Sequence, residues 1–310
     1  LYTVAVTQGA VSVPIVTGLT PIGGEDATFA WLLLIIPALA IAGAILFVLR
    51  PREPKLLPQT AELELISDAP VVIEGLYKTY KGGYQAVSGV SFEVPRGVVL
   101  GLLGPNGAGK TTTMRMMMGL IKPTQGQITL FGHPVFFGST VLSRVGALVE
   151  GAGFLPHLSG RENLELYWKA SGREGEPYFE EVLEIADLGT AIDRKVKAYS
   201  QGMRQRLGIA QAMLGKPDLL MLDEPTNGLD PPQIKAMREV MKTYAQTGRT
   251  VIVSSHMLSE VEQTCSHVVV MHRGQLIATG EVADLLAGRT GGRLEDVFLD
   301  MIGEDLTVGQ

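Results

Sequence analysis

Two short stretches of the 310-residue chain carry residue types that do chemistry together. The first, Gly104-Pro105-Asn106-Gly107-Ala108-Gly109-Lys110-Thr111, fits G-x-x-x-x-G-K-[ST] and continues through Thr112 into a helix-forming run. Glycines in this pattern let the backbone wrap a phosphate without Cβ clashes and aim successive N–H groups inward. The helix N-terminus that follows adds partial positive charge. Lys110 is expected on the β- and γ-phosphates of a nucleotide, and the Thr111 hydroxyl on Mg²⁺. The second stretch, Leu219-Leu220-Met221-Leu222-Asp223-Glu224, is an apolar run ending in two carboxylates. A buried strand of this kind delivers acids to the C-terminal edge of a sheet, where α/β ligand sites lie. Asp223 is expected on Mg²⁺ through its waters, and Glu224 as the general base that polarises an attacking water.

These residues need rigid elements to hold them. From about residue 70 the runs VVIEGLYKTY, AVSGVSFEV and VVLGLLG are β-branched and separated by Gly and Pro. After Thr111, helical stretches alternate with apolar strands such as DLLMLD and TVIVSS. That alternation predicts an α/β domain with parallel strands and crossover helices. Val98–Leu103 reads as a buried strand that feeds the phosphate loop, and Met114–Met118 as core filler on the helix after it. Residues 173–188 read as an amphipathic helix with Val182, Leu183, Ile185 and Ala186 on its apolar face.

Upstream, Phe29–Leu49 is twenty-one residues without a charge, which as a helix would span about 31 Å. Residues 1–49 hold no Lys or Arg, whereas Arg50, Arg52 and Lys55 follow the run at once. The expectation is one transmembrane helix over 29–49, with residues 1–28 outside and everything after residue 50 in the cytoplasm. The outer stub alternates Val4, Val6 and then Val11, Val13, Ile15. It reads as the last strands of a domain lying upstream, in keeping with a chain that starts at Leu1. Residues 50–69, with three prolines and both signs of charge, read as a linker.

A hydrophobic fraction of 46% and a charged fraction of 19% give a chain that folds. Mean hydropathy is +0.22, with the surplus concentrated in the apolar run. The formal charge of −6 argues against a nucleic-acid partner. Cys265 is the only cysteine, which excludes an internal disulfide and fits a reducing compartment. It reads as a buried or idle thiol rather than a nucleophile. His133, His157, His267 and His272 lie apart from any ligand spacing. Ser254 and Ser255 precede His256 without forming a nucleophile elbow.

The order of motifs resembles the ATP-binding cassette (ABC) ATPases over about residues 70–290. Tyr199-Ser200-Gln201-Gly202-Met203-Arg204-Gln205-Arg206-Leu207 is similar to the family signature LSGGQ-x-Q-R, and LLMLDEPTNGLDP follows it, with the aspartate loop ending at Asp230. The resemblance implies a RecA-like core, an antiparallel β subdomain and an α-helical signature subdomain. It implies ATP and Mg²⁺ as ligands, with Tyr80 stacked on adenine and Tyr84 as its rival. Ser200, Gln201, Gly202 and Met203 would close over the γ-phosphate held by a second ABC chain, identical or related, in a head-to-tail dimer. Asp230 would couple the two sites, and His256 would contact the γ-phosphate and report its loss.

Three positions in two motifs depart from the pattern. Glu150 stands where the family usually has a glutamine that touches Mg²⁺; a carboxylate there can still ligate the ion but adds negative charge beside a triphosphate. Gln201 and Met203 replace a signature glycine and glutamine. The stretch GFLPHLSGRENL and the altered signature look like the bacitracin- and daunorubicin-resistance branch of exporters, in which glutamate at the position of Glu150 is familiar. The expected protein is an ATP-hydrolysing exporter subunit in the bacterial inner membrane, tethered by one helix among membrane lipid and driving separate permease subunits. The alternative is a regulatory or mechanotransmitting ABC ATPase that moves no solute. Residues 291–310 are expected to form a last short helix and a tail.

Overall fold

In the computed structural model the described residues are 3–7, 12–16, 67–151, 153–173, 175–287 and 294–295. The chain divides into two units, Leu1–Lys55 and Leu56–Gln310. In the first, β1 (Thr3–Thr7) pairs antiparallel with β2 (Ser12–Val16), Val4 opposite Ile15 and Val6 opposite Val13. Both strands follow the valine alternation, although Val11 falls outside β2. The expected span at 29–49, the linker up to residue 66 and the tail after residue 295 lie outside the described residues. Among the described residues no helix is long and apolar enough to cross a membrane.

The second unit is built on two sheets. One has six strands in the order β12-β11-β5-β10-β9-β8. These are β5 (Val99–Leu103), β8 (Val145–Leu148), β9 (Leu219–Asp223), β10 (Thr250–Ser255), β11 (His267–His272) and β12 (Gln275–Glu281). All run parallel except β12, which turns back against β11. The unbroken apolar character of β5, β9 and β10 follows from having both faces covered. Leu100, Leu102, Leu219, Met221 and Ile252 pack on one side, and Leu103, Leu220, Leu222, Val251 and Val253 on the other. Each such side chain contributes roughly 2 kcal/mol by leaving water.

The second sheet is antiparallel, in the order β4-β3-β6-β7, from β3 (Val71–Thr79), β4 (Gln85–Val94), β6 (Gln125–Leu130) and β7 (His133–Pro134). Its Val71, Ile73 and Val90 share one core with Met114, Met116 and Met117 of α1 (Lys110–Met117), so the methionine cluster is core filler.

Between β8 and β9 lies a helical region. It contains α2 (Gly160–Ser171), α3 (Phe179–Ala186) and α4 (Gln201–Met213). A capping box starts α2: the Ser159 hydroxyl accepts from Glu162 N–H and the Glu162 carboxylate accepts from Ser159 N–H. The helix expected over 173–188 is shorter than the pattern suggested. Pro177 disfavours helical backbone at the residue before it, and Asp187 at φ 46° ends α3. Val182 and Ala186 are buried, as the apolar face requires. The described residues also include α5 (Pro231–Gln246), α6 (Leu258–Thr264) and α7 (Val282–Leu286). The RecA-like core, antiparallel subdomain and helical subdomain are therefore all present.

Candidate active site

The ends of three neighbouring parallel strands converge. β5 runs into the loop 104–109, β9 ends in Asp223, and β10 lies between them and ends in Ser255, just before His256. The loop is tight against its surroundings. A Cβ on Gly109 would stand 2.5 Å from the Ala86 carbonyl oxygen, and φ there is +100°; one on Gly104 would collide with the carbonyl of Met271. Glycine is thus imposed at both positions by backbone packing as well as by any ligand. Pro105, Asn106 and Gly107 are exposed at the tip, Ala108 is buried, and Thr112 lies in the first turn of α1.

Lys110 is buried at 6% exposure. Its ammonium donates to the carbonyls of Gly104 at 2.7 Å and Pro105 at 3.3 Å, and lies 3.8 Å from Glu224 Oε1. Burial lowers its pKa from the usual 10.5, while the charges of Glu224 and Asp223 oppose that shift. The Thr111 hydroxyl donates to Asp223 at 3.0 Å. Both groups are oxygen donors, so the pair fits Mg²⁺, a hard cation that takes one or two protein oxygens and completes its shell with water and phosphate. Bound there, the ion would neutralise phosphate charge.

Glu224 sits at φ +48°, a left-handed conformation rare for a residue with a side chain. Its backbone is held at both ends. The N–H donates to Ser254 Oγ at 2.9 Å, and the carbonyl accepts from Asn227 N–H and from Gln205 Nε2, both at 3.2 Å. Ser254 Oγ also donates to Asp223 Oδ1. His256 Nδ1 lies 2.9 Å from Glu224 Oε2. Lys110, Thr111, Asp223, Glu224 and His256 therefore form one cluster.

The other expected residues stand elsewhere. Ser200 caps α4 by accepting from Met203 N–H at 3.2 Å. Gly202 is buried, and a Cβ on it would stand 2.9 Å from the Gly228 carbonyl oxygen. The side chain of Gln201 lies against Gly228 in turn, so the signature end packs on the segment after Glu224. Asp230 caps α5 in a capping box with Gln233. Glu150, exposed and at φ +61°, pairs with Arg115 of α1 rather than with Thr111 or Asp223. Tyr80 opens the turn to β4, with its N–H on the Tyr84 carbonyl at 2.9 Å and Lys78 Nζ 5.3 Å from its ring centre. Tyr84 is 61% exposed. Ser254 and Gln205 were not singled out as site residues from sequence. The available signal was polarity out of place: a serine inside the apolar strand VIVSS.

A parallel sheet with a phosphate loop, a carboxylate pair and a following histidine at its C-terminal edge defines a P-loop nucleotide hydrolase. The family model described as ABC transporter matches residues 87–227. The chain is 47% identical over 204 residues to the bacitracin transport ATP-binding protein BcrA of Bacillus licheniformis, covering 65% of this chain and 66% of that protein. It is 37% identical over 243 residues to the daunorubicin resistance ATP-binding protein DrrA3 of Streptomyces coeruleorubidus, covering 77% and 76%. A solved structure described as the ATP-binding subunit of an ABC transporter superposes with a TM-score of 0.68 at 29% identity, covering 75% of this chain and 99% of that one. The chain belongs to the ABC transporter ATP-binding family and is an ATP hydrolase of that type.

Proposed function

We propose that the chain is the ATP-hydrolysing subunit of an exporter, held at a bacterial inner membrane by residues 29–49 and driving separate permease subunits. The observation that carries this reading is the complete hydrolytic cluster: Glu224 has His256 at 2.9 Å and Lys110 at 3.8 Å beside the phosphate loop. Such a cluster suits turnover better than passive nucleotide binding. Similarity to ATP-binding proteins of bacitracin transport and daunorubicin resistance supports export.

In this reading ATP lies in the loop 104–112 with Tyr80 at the base, and Mg²⁺ is held by Thr111 and Asp223, with Glu150 as a third ligand once it leaves Arg115. Glu224 takes the proton of the attacking water. Ser200, Gln201, Gly202 and Met203 act on the nucleotide of a second ABC chain, which suits an N-capped helix end as an anion site. Asp230 couples the two sites. Residues 1–28 form the outer stub, 50–69 the linker, and the ATPase domain at 70–290 faces the cytoplasm. The test is Mg²⁺-dependent ATP hydrolysis by the detergent-extracted chain against Glu224→Gln, with gel filtration in ATP. Hydrolysis by the native chain, with ATP-trapped dimers of the mutant, is expected. Native-like turnover in Glu224→Gln would reject the assignment.

A further inference from the structure

We propose that Ser254 is a positioning residue for hydrolysis, its single hydroxyl tying the Asp223 carboxylate to the Glu224 backbone amide and thereby setting where the Glu224 carboxylate points. The inference rests on the hydrolytic reading given above and deepens it.

β10 is the strand between the phosphate-loop strand and the carboxylate strand. In register, Ser254 stands opposite Leu102 of β5 on one side and opposite Asp223 of β9 on the other. It is fully buried, after Val251, Ile252 and Val253, where an apolar residue would be the ordinary choice. A buried hydroxyl is destabilising unless its hydrogen bonds are made. Here it both donates and accepts: to Asp223 Oδ1, and from Glu224 N–H at 2.9 Å. A left-handed conformation at a non-glycine residue persists only where its surroundings hold it. Asn227 and Gln205 hold the Glu224 carbonyl, but of the three partners Ser254 alone also grips the carboxylate beside Thr111. One oxygen therefore fixes the cation-binding acid and the general base relative to each other.

Loss of this hydroxyl leaves the nucleotide grip in place. Lys110 keeps its contacts with the loop carbonyls, and Thr111 keeps Asp223. A threonine would retain the hydroxyl. A void of about 10 Å³ lies beside Ser254, lined also by Val253, Val261, Thr264 and Cys265.

The experiment compares the full detergent-extracted chain with Ser254→Ala, Ser254→Thr and Glu224→Gln, measuring kcat, KM for ATP and the Kd of trinitrophenyl-ATP. Ser254→Ala is expected to lose about 10- to 100-fold in kcat, the effect of deleting one hydrogen bond to a charged or catalytic group. Its KM and Kd should stay within about threefold, and Ser254→Thr should recover most of the turnover. If the alanine chain does not fold, Ser254→Cys fills the site with a slightly larger, weaker hydrogen-bonding group and should show the same split. Unchanged kcat in the alanine variant would overturn the proposal, as would a loss matched by an equal loss of nucleotide binding. With Glu224→Gln inactive, either result removes only the role of Ser254. A native chain without turnover, or an active Glu224→Gln, would remove the hydrolytic reading and this proposal with it.

Discussion

The Nδ1 atom of His256 lies 2.9 Å from one carboxylate oxygen of Glu224, whose other oxygen lies 3.8 Å from the ammonium of Lys110. The Glu224 carboxylate is thus held between the lysine of the loop 104–111 and the histidine that follows β10. An imidazole in this place orients the carboxylate through a directed hydrogen bond, which a freely rotating acid would lack.

Replacing that imidazole should affect turnover far more than affinity. His256→Ala is expected to lower kcat about 10²-fold while the Kd for trinitrophenyl-ATP changes by less than about threefold. Single-turnover hydrolysis with radiolabelled ATP checks this, and parallel losses in binding would contradict it.

Gly109 gives a structural counterpart. A methyl there would press on the Ala86 carbonyl at 2.5 Å while φ is +100°. Gly109→Ala should cost about 2 kcal/mol or more in stability and abolish measurable nucleotide binding. Urea unfolding and fluorescent-nucleotide titration read the two effects separately.

Most of this cluster is legible before folding is considered. Lys110, Thr111, Asp223 and Glu224 announce themselves because their chemistry requires a local pattern: glycines beside a lysine, and acids after an apolar strand. Ser254 and Gln205 do not. They act through strand order and helix placement, which bring residues 31 and 19 positions from Asp223 and Glu224 into hydrogen-bond range. Local spacing carries no record of such neighbours. The pairing of Glu150 with Arg115 is of the same kind, since it depends on where β8 ends relative to α1. Strands β5, β9 and β10 are legible to within a residue or two because their apolar runs are continuous, β6, β8, β11 and β12 are not singled out, and α3 is shortened by Pro177 and a left-handed Tyr178 at its start.

Exposure makes the Glu150–Arg115 pair a weak contributor to stability. Glu150→Gln is expected to leave unfolding free energy within about 0.5 kcal/mol of the native chain. If Glu150 acts at the proposed Mg²⁺ site, removing its negative charge should raise turnover at saturating Mg²⁺-ATP. A steady-state comparison of the two chains decides it.

Cys265 is the single cysteine and is 7% exposed. Burial pushes its thiol up to about 12, leaving very little thiolate at pH 8. Labelling by a disulfide reagent at pH 8 should therefore be at least about 100-fold slower than in urea, and slower still with nucleotide bound, since a ligand of the native state opposes unfolding. Rapid labelling of the folded chain would place this thiol on the surface.

Glu162 offers a pH test of the capping box. The bond from Ser159 N–H at 2.7 Å, with a further contribution from the Ser159 side chain, holds its carboxyl below the ordinary 4.5. A depressed folded value means the stabilisation is complete above that ordinary value and disappears as pH falls through the lower one. The melting-temperature gap between the native chain and Glu162→Ala should therefore be present at pH 7 and narrow toward pH 3. A gap that widens with acid would oppose the assignment.

The carbonyls of Gly104 and Pro105 that hold Lys110 are neutral dipoles, and the ammonium reached them by leaving water when the chain folded. A polyanion entering the loop meets a cation already stripped of hydration. It would replace two dipoles with charged oxygens while the Glu224 carboxylate stands 3.8 Å away, a trade more open to a phosphate chain than to an uncharged nucleoside. Discrimination against dephosphorylated metabolites is thereby built into the resting loop, before adenine, magnesium or a neighbouring subunit takes any part.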